Sequence, residues 1–441
     1  MLLLMKNTGQ IMGVSWDKSA SPTLTRTDSA IGMVATAGVD SAIVRNDFDA
    51  APIFREILEV TDIYSNVFVR IPKFYIKKTD GAGYKTWQIS KRQYAGFYLP
   101  QCFWDFTNSR ELPYIDIGKY KATRDGSNRL ESKSGLAPLV NDNIVGFRAY
   151  AQNNNTGGLL GYQQLDIHVV DVLQTLFYVE FATLNSQSIM AGFTAGQYNS
   201  SHTATVAENG VNRIILANAY ATLFAVGQGI SIGTSLGGNQ IFYGRSITAI
   251  NVYDASNMAI SFDGTTVNIA IGNILYNTGY INGFSSSITA KSGSVISNST
   301  GKYPCKYRGI ESLWGDVWQF VDGLNINNWQ SWICRNASNY QSNIFASPYE
   351  QLGYVNNNNN GYIIAMGHDI ANPFAALPVT VGGSATTYYT DNYYQNTDVR
   401  IALLGGRWVL KSNAGFSYWH LDGTSSFTHV SIGGRLLKKP L

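Results

Sequence analysis

A mainly β fold, with an α+β character in its C-terminal part, follows from three features of this 441-residue sequence. Short apolar/polar alternations of period two recur along it, Gly-, Asn- and Asp-rich turn signals punctuate them, and only one long stretch carries helical periodicity. Composition points the same way. Hydrophobic residues make up 45% and aromatics 13%, but charged residues only 14%, well below the quarter usual in soluble globular chains. The surface must therefore be built from Asn, Gln, Ser, Thr, Gly and Tyr, the palette of exported or assembled β proteins and of binding loops.

Residues 1–45 are Ser/Thr/Gly-rich with isolated apolar positions and no helical period, which predicts an extended N-terminal attachment arm. From 46 to 160 a β-rich assembly region is expected. There VFVRIPKFYIKK (67–78) alternates apolar and polar residues, DGAG (80–83) supplies a turn, and KTWQIS (85–90) answers it as a hairpin. In LDIHVVDVLQTLFYVEFATL (165–184), Ile167, Val170, Leu173, Leu176, Phe177 and Phe181 share one face, so this is a core helix, with His168 a surface or packing residue. Residues 205–300 nearly lose their charge and read as an inserted β-barrel or sandwich subdomain. Residues 161–204 and 301–441 make better sense together, as one domain around it. Within the latter, ESLWGDVWQFVDG (311–323) reads as a short strand, its Trp318 and Phe320 pointing to one side, into the core.

The chemistry of most enzymes is missing. None of the five histidines (168, 202, 368, 420 and 429) stands in an HxH or HxxxH spacing, and Cys102, Cys305 and Cys334 are too scattered for a zinc site, so neither metal nor cofactor is expected. His368-Asp369 and His420-x-Asp422 lack a nucleophile elbow. Glu311, Asp316 and Asp322 are the carboxylates best placed for a glycan hydrolase pair, yet turn and capping roles explain them as well. A net charge of +3 with scattered lysines leaves no basic stripe for nucleic acid. Arg435, Lys438 and Lys439 read as a solvated chain end. No apolar run is long enough for a signal peptide or a membrane span.

GIESLWGDVWQFVDG (309–323), followed by LLGGRWVLKSNAGFSYWHLDGTSSFTHVSIGGRLLK (403–438), resembles the paired signatures of the formylglycine-generating-enzyme branch of the C-type lectin fold. There a GNVWEW strand precedes an RGGSW…GFR closing segment. Residues Gly315 to Phe320 match the first, Gly405 to Trp408 the opening of the second, and Ile432 to Leu436 its end. The resemblance makes 161–204 plus 301–441 a C-type-lectin-like domain, with Trp314, Trp318, Phe320, Trp408 and Phe416 as its structural core. The same fold carries the variable domain of phage major tropism determinants. SPTLTRTDSAIGM, NDFDAAPIF, YIDIGKY and LESKSGLAP, in turn, resemble N-terminal regions of tailed-phage fibre and head-fibre proteins. Residues 403–441 contain no cysteine, which excludes formylglycine synthesis, and the calcium-dependent Glu-Pro-Asn and Trp-Asn-Asp sugar motifs are absent.

On this resemblance the ligand face lies between the two signatures. Residues 336–400 hold eight tyrosines and eleven asparagines, a paratope-like mixture; Tyr340, Tyr354, Tyr362, Tyr388, Tyr389, Asn392, Tyr393 and Tyr394 are its candidate ligand-binding residues, and NNNNN (356–360) a solvated loop tip. The function implied is that of a virion-surface fibre or adhesin of a tailed bacteriophage, made in the host cytoplasm without a signal peptide and binding a bacterial surface glycan or protein. Its N-terminal part would contact other virion proteins, and the chain would form a homo-oligomer, trimer ahead of dimer, binding no nucleic acid and inserting in no membrane. The alternatives are a capsid-decorating head fibre with a purely structural role and a glycan-degrading fibre enzyme.

Overall fold

The structure, a computed structural model, describes residues 10–296, 298–355 and 360–441. It is mainly β, as the alternations predict, with strands outnumbering helix about three to one (38% against 12%). At its centre lies the helix Ile167–Phe181, every one of whose 15 residues is buried. Its sequence shows why it forms. Asp166 caps it, accepting the Val169 backbone N–H at 2.9 Å, and at its end Ala182 turns left-handed (φ 51°) while Arg26 donates to the Val179 and Glu180 carbonyls. The apolar face predicted for it is there, but the helix is enclosed all round.

Two sheets enclose it. On one side a four-stranded antiparallel sheet runs in the order Thr25–Asp28, Ile11–Trp16, Tyr84–Ser90, Tyr75–Gly81. On the other stands the nine-stranded sheet centred on Trp318–Asn327, which pairs with Gln330–Cys334, Val399–Leu404 and, in parallel, Ile432–Gly433. A five-stranded sheet (Tyr162–Gln164, Leu436–Lys438, Tyr114–Gly118, Val67–Pro72, Leu58–Thr61) closes the body, and in it the last strand of the chain lies between two strands of the N-terminal half.

Several sequence expectations change. The expected arm is no arm from residue 11 onward: Met12, Val14 and Trp16 alternate into the main core, and Gly38–Val39 pairs with Gly293–Ser294. Gly13 and Ser15 between the inward residues hid a strand of period two. Residues 1–9 lie outside the described residues. The 46–160 region is likewise not a unit by itself, because its sheet is completed by strands at 162–164 and 436–438. The segment 67–78 is two strands in different sheets, broken at Pro72, which cannot donate to a ladder; only Tyr75–Gly81 forms the hairpin with Tyr84–Ser90.

A five-stranded antiparallel sheet between Arg213 and Asn277 has its own cluster of buried residues, among them Ile214, Ile232, Phe242 and Ile260. It ends earlier than residue 300, however, since Tyr280 packs on Phe193 and Gly293–Ser294 belongs to the body. Among the described residues no helix is long and apolar enough to cross a membrane.

The tryptophan motif is core throughout. Trp314, Trp318, Phe320, Trp408 and Phe416 are all buried; Trp314 donates to the Met190 carbonyl at 2.9 Å, and Trp318 meets Tyr418 edge to face at 4.8 Å. Gly315 (φ 70°) sits so close to the backbone that a β-carbon there would stand 2.5 Å from the Phe193 oxygen. The basic C-terminus, expected in solvent, is partly interior: Arg435 and Lys439 are buried.

Replacing Trp318 by Ala should remove about 3–5 kcal/mol of stability, read as a lower urea midpoint; an unchanged midpoint would contradict the packing. A second expectation concerns acid. Burial pushes His420, stacked on Tyr394 and beside Trp318, down to about 4. Unfolded histidine titrates near ~6.5, so between pH 6.5 and 4 the unfolded chain binds the extra proton, and the stability present above pH 6.5 is lost as pH falls through that window. His429, also pushed by burial to about 4, acts with the same sign. The melting temperature should therefore drop between pH 6.5 and 4, less steeply in His420→Gln; equal slopes would remove His420 from the account.

Candidate functional site

Five of the eight tyrosines of 336–400 lie on strands rather than in loops, on Tyr349–Val355, Gly361–Met366 and Asn392–Gln395. The tyrosines divide accordingly. Tyr340 is buried and donates to the Asp166 carboxylate at 3.1 Å. Tyr393 is buried and donates to Gln395 Oε1 at 2.8 Å. Half-buried Tyr354 donates to the Ala375 carbonyl and accepts from the Leu377 N–H. Tyr362 lies half-buried beside Asn392 in the register, its hydroxyl 3.1 Å from Ser412, and Tyr394 stacks on His420 at 5.0 Å. A broad tyrosine paratope is therefore not what the fold builds, because a buried tyrosine satisfies its ring by packing and its hydroxyl by an internal partner. In NNNNN, positions 356–359 lie outside the described residues, and Asn360 accepts the Gln395 N–H.

Tyr388, half-buried, behaves differently, and the buried Tyr389 packs beside it. They wall a cavity of about 180 Å³ together with Trp16, Ile364 and Met366, and into it come Lys18, Asp80 and Lys85. Three separated pieces of chain meet here. Strand Ile11–Trp16 ends by delivering Trp16, which is fixed by its indole N–H donating to Ser21 at 2.8 Å. The hairpin brings Asp80 and Lys85, which face each other across its turn. The 384–390 turn brings the two tyrosines, at 5.6 Å (Tyr389) and 6.3 Å (Tyr388) from Trp16, both edge to face.

Among the described residues, three of the 21 left-handed non-glycine positions lie around this cavity. Lys18 (φ 57°), Tyr388 (φ 57°) and Thr390 (φ 58°) are all left-handed without being glycine, each costing on the order of 1–2 kcal/mol. Such conformations persist only where surrounding contacts impose them, and they concentrate at ligand-binding places. Here Tyr388 is held by its N–H donating to the Ala20 carbonyl at 2.7 Å.

The electrostatics are asymmetric. Asp80 receives Lys18 at 2.5 Å on one oxygen and Lys85 at 3.2 Å on the other. Burial pushes Asp80 up, but the two ammonium groups outweigh it and hold the carboxyl below its usual range. Lys85, with a side chain only 5% exposed, is pushed by burial down to about 8 despite Asp80. Behind it a small space of about 20 Å³, room for one water, separates Lys85 from the ion pair of Lys78 with Asp171 and from His368.

The carboxylates singled out in the sequence have structural partners. Glu311 accepts the Gly283 and Ser285 N–H groups, Asp316 accepts the Tyr280 N–H at 2.8 Å, and Asp322 holds Arg148 through two bonds of 2.8 Å. Asp322 and Tyr340 do line a separate cavity of about 400 Å³, but no second acidic side chain joins Asp322 there. Among the described residues no group of three His, Cys, Asp or Glu gathers in a way that could hold a metal; the three cysteines are free and buried. Sequence reasoning missed Trp16, Lys18 and Lys85. The one available signal was Trp16 itself, a lone tryptophan among small polar residues. No family model matches the chain, and no curated protein matches it.

A buried lysine that shares its carboxylate costs the fold energy, and replacing such groups by apolar ones of similar volume is often neutral or stabilising. Lys85→Met should therefore keep or raise the melting temperature, whereas Asp80→Asn, which leaves two ammonium groups without a counter-charge, should lower it. The reverse order in thermal unfolding would contradict this charge balance.

Proposed function

We propose that this chain is a fibre or adhesin subunit on the surface of a tailed-phage virion, and that it binds a glycan of the host surface in the cavity walled by Trp16, Tyr388 and Tyr389. The observation that carries the reading is that cavity: the half-buried ring of Tyr388, backed by the buried Trp16 and Tyr389, stands beside charged groups that can take a sugar's polar substituents, on a chain otherwise poor in charge. The lectin-like assignment of 161–204 and 301–441 is supported by the contact between its two signatures, in which Arg435 donates to Gln319 at 2.7 Å. Assembly into a homo-oligomer, trimer before dimer, would cover exposed apolar side chains such as Ile31, Ile43 and Ile63. Binding without cleavage is the reading the carboxylates favour, since Asp80 and Asp171 are each closed off by lysines.

The internal use of Tyr340, Tyr354 and Tyr393 favours a second reading, a head fibre that only decorates the capsid. The two separate in one experiment. Purified chain should adhere to cells of the host bacterium, and Tyr388→Ala, at a half-buried position, should weaken that adhesion about tenfold or more, as truncating an aromatic anchor does. Adhesion that is absent, or indifferent to Tyr388, would leave the structural role, which predicts instead that particles lacking the chain lose stability.

A further inference from the structure

We infer that the sugar seated in this cavity carries a carboxylate, held by Lys18 and Lys85 while its ring lies against Trp16 and Tyr388. The inference rests on reading the cavity as a glycan site, and it starts from the charges. Three ammonium groups approach the cavity and the small space behind it, from Lys18, Lys78 and Lys85; only two carboxylates do, from Asp80 and Asp171. Lys78 is committed to Asp171, both side chains being 4% exposed. Asp80 is left to serve both Lys18 and Lys85. One positive charge is therefore unmatched; Lys18, with a side chain 33% exposed, reaches water, but Lys85, 5% exposed, does not, and at Lys85 a counter-ion of its own is strongly favoured.

The donors are unmatched as well. Lys85 carries three N–H groups, and its recorded acceptors are Asp80 at 3.2 Å and the Met366 carbonyl at 3.5 Å, the second beyond an ordinary hydrogen bond. A carboxylate oxygen entering the cavity would supply the missing short contact. Charge also selects among anions. A monoanion balances the single surplus charge, whereas a phosphate dianion would face Asp80, without the guanidinium fork or the row of backbone N–H groups that phosphate sites employ. Asp80 can in turn accept ring hydroxyls, and the aromatic walls cover a sugar face. The ligand class is thus an acidic sugar of the uronic or nonulosonic type.

The same geometry predicts a pH dependence. Lys85 must be protonated to hold the anion, and the charged or titratable groups facing it are Lys18, Lys78, Asp80, Asp171, Tyr178, His368, Tyr388 and Tyr389. Burial pushes its proton loss down to about 8, so affinity should fall as pH rises from 7 to 9.5.

The test uses the full chain and polysaccharide extracted from host cells, before and after chemical reduction of its carboxyl groups to primary alcohols, which leaves the rings intact. Binding of the native polysaccharide should be at least tenfold tighter than that of the reduced one, should weaken about tenfold between pH 7 and 9.5, and should be competed by free galacturonate but not by galactose or inorganic phosphate. Lys85→Met should bind both preparations alike, with no pH slope. Equal binding of native and reduced polysaccharide by the unmodified chain, or competition by phosphate alone, would overturn the carboxylate while leaving a glycan site in place. Binding to neither preparation would overturn the glycan reading itself and this inference with it.

Discussion

One buried guanidinium ties the last strands of this chain to the sheet of its N-terminal half. Arg435, without solvent exposure, donates to five acceptors: the side-chain oxygen of Gln319 and the backbone carbonyls of Gly118, Lys119, Glu311 and Ser312. Those acceptors come from the N-terminal sheet, from the segment before the tryptophan motif and from the motif's own strand. Around the guanidinium lie Lys121, Glu311 and Asp316, all buried, so two positive and two negative groups balance. Burial pushes Asp316 up and Lys121 down, each toward its neutral form, and Lys121 meets part of its need by donating to the Val317 carbonyl at 2.7 Å. A lysine at 435 could not span the same acceptors, because only the planar fork presents five donors in fixed directions. Removing one partner from such a group leaves the others buried and unpaired, which costs about 3–5 kcal/mol.

The long helix extends the same logic through the body. Because it is enclosed on every side, each polar residue on it must find a partner in another element. His168 meets the Cys334 carbonyl at 2.9 Å, Gln174 the Phe416 carbonyl at 2.8 Å, Tyr178 the Ser417 hydroxyl at 2.8 Å, and Glu180 the Arg308 guanidinium. These contacts fix the helix in rotation and along its axis, which the apolar face alone would leave loosely specified. They also set the back wall of the cavity, since Asp171 holds Lys78 there and Tyr178 lines the space beside Lys85.

The cavity follows from this closure. Its three walls are distant in sequence and meet only because the strand at 11–16 lies in the sheet that covers the helix, while the 384–390 turn belongs to the opposite sheet. The surplus lysine charge and the three left-handed residues are costs the surrounding contacts sustain. A site selected only for stability would have replaced Lys85 with an apolar residue.

The sequence by itself determined what short-range physics writes plainly. Period-two alternation announced the β class, a face of three-and-four spacing announced the helix at 165–184, and loss of charge with regular turns announced a sheet between that helix and the tryptophan motif; the buried tryptophans at 314 and 318 were legible from their density. Tertiary structure alone decided the rest. Whether a tyrosine such as Tyr340 or Tyr393 serves the surface or the interior depends on which sheet lies over it, and tyrosine suits both. The strand at 11–16 was hidden because the glycine and serine between its inward residues suit a loop as easily as a strand. Trp16, Lys18 and Lys85 share no motif. Their meaning arises from a meeting of segments hundreds of residues apart, and local patterns carry no record of such contacts.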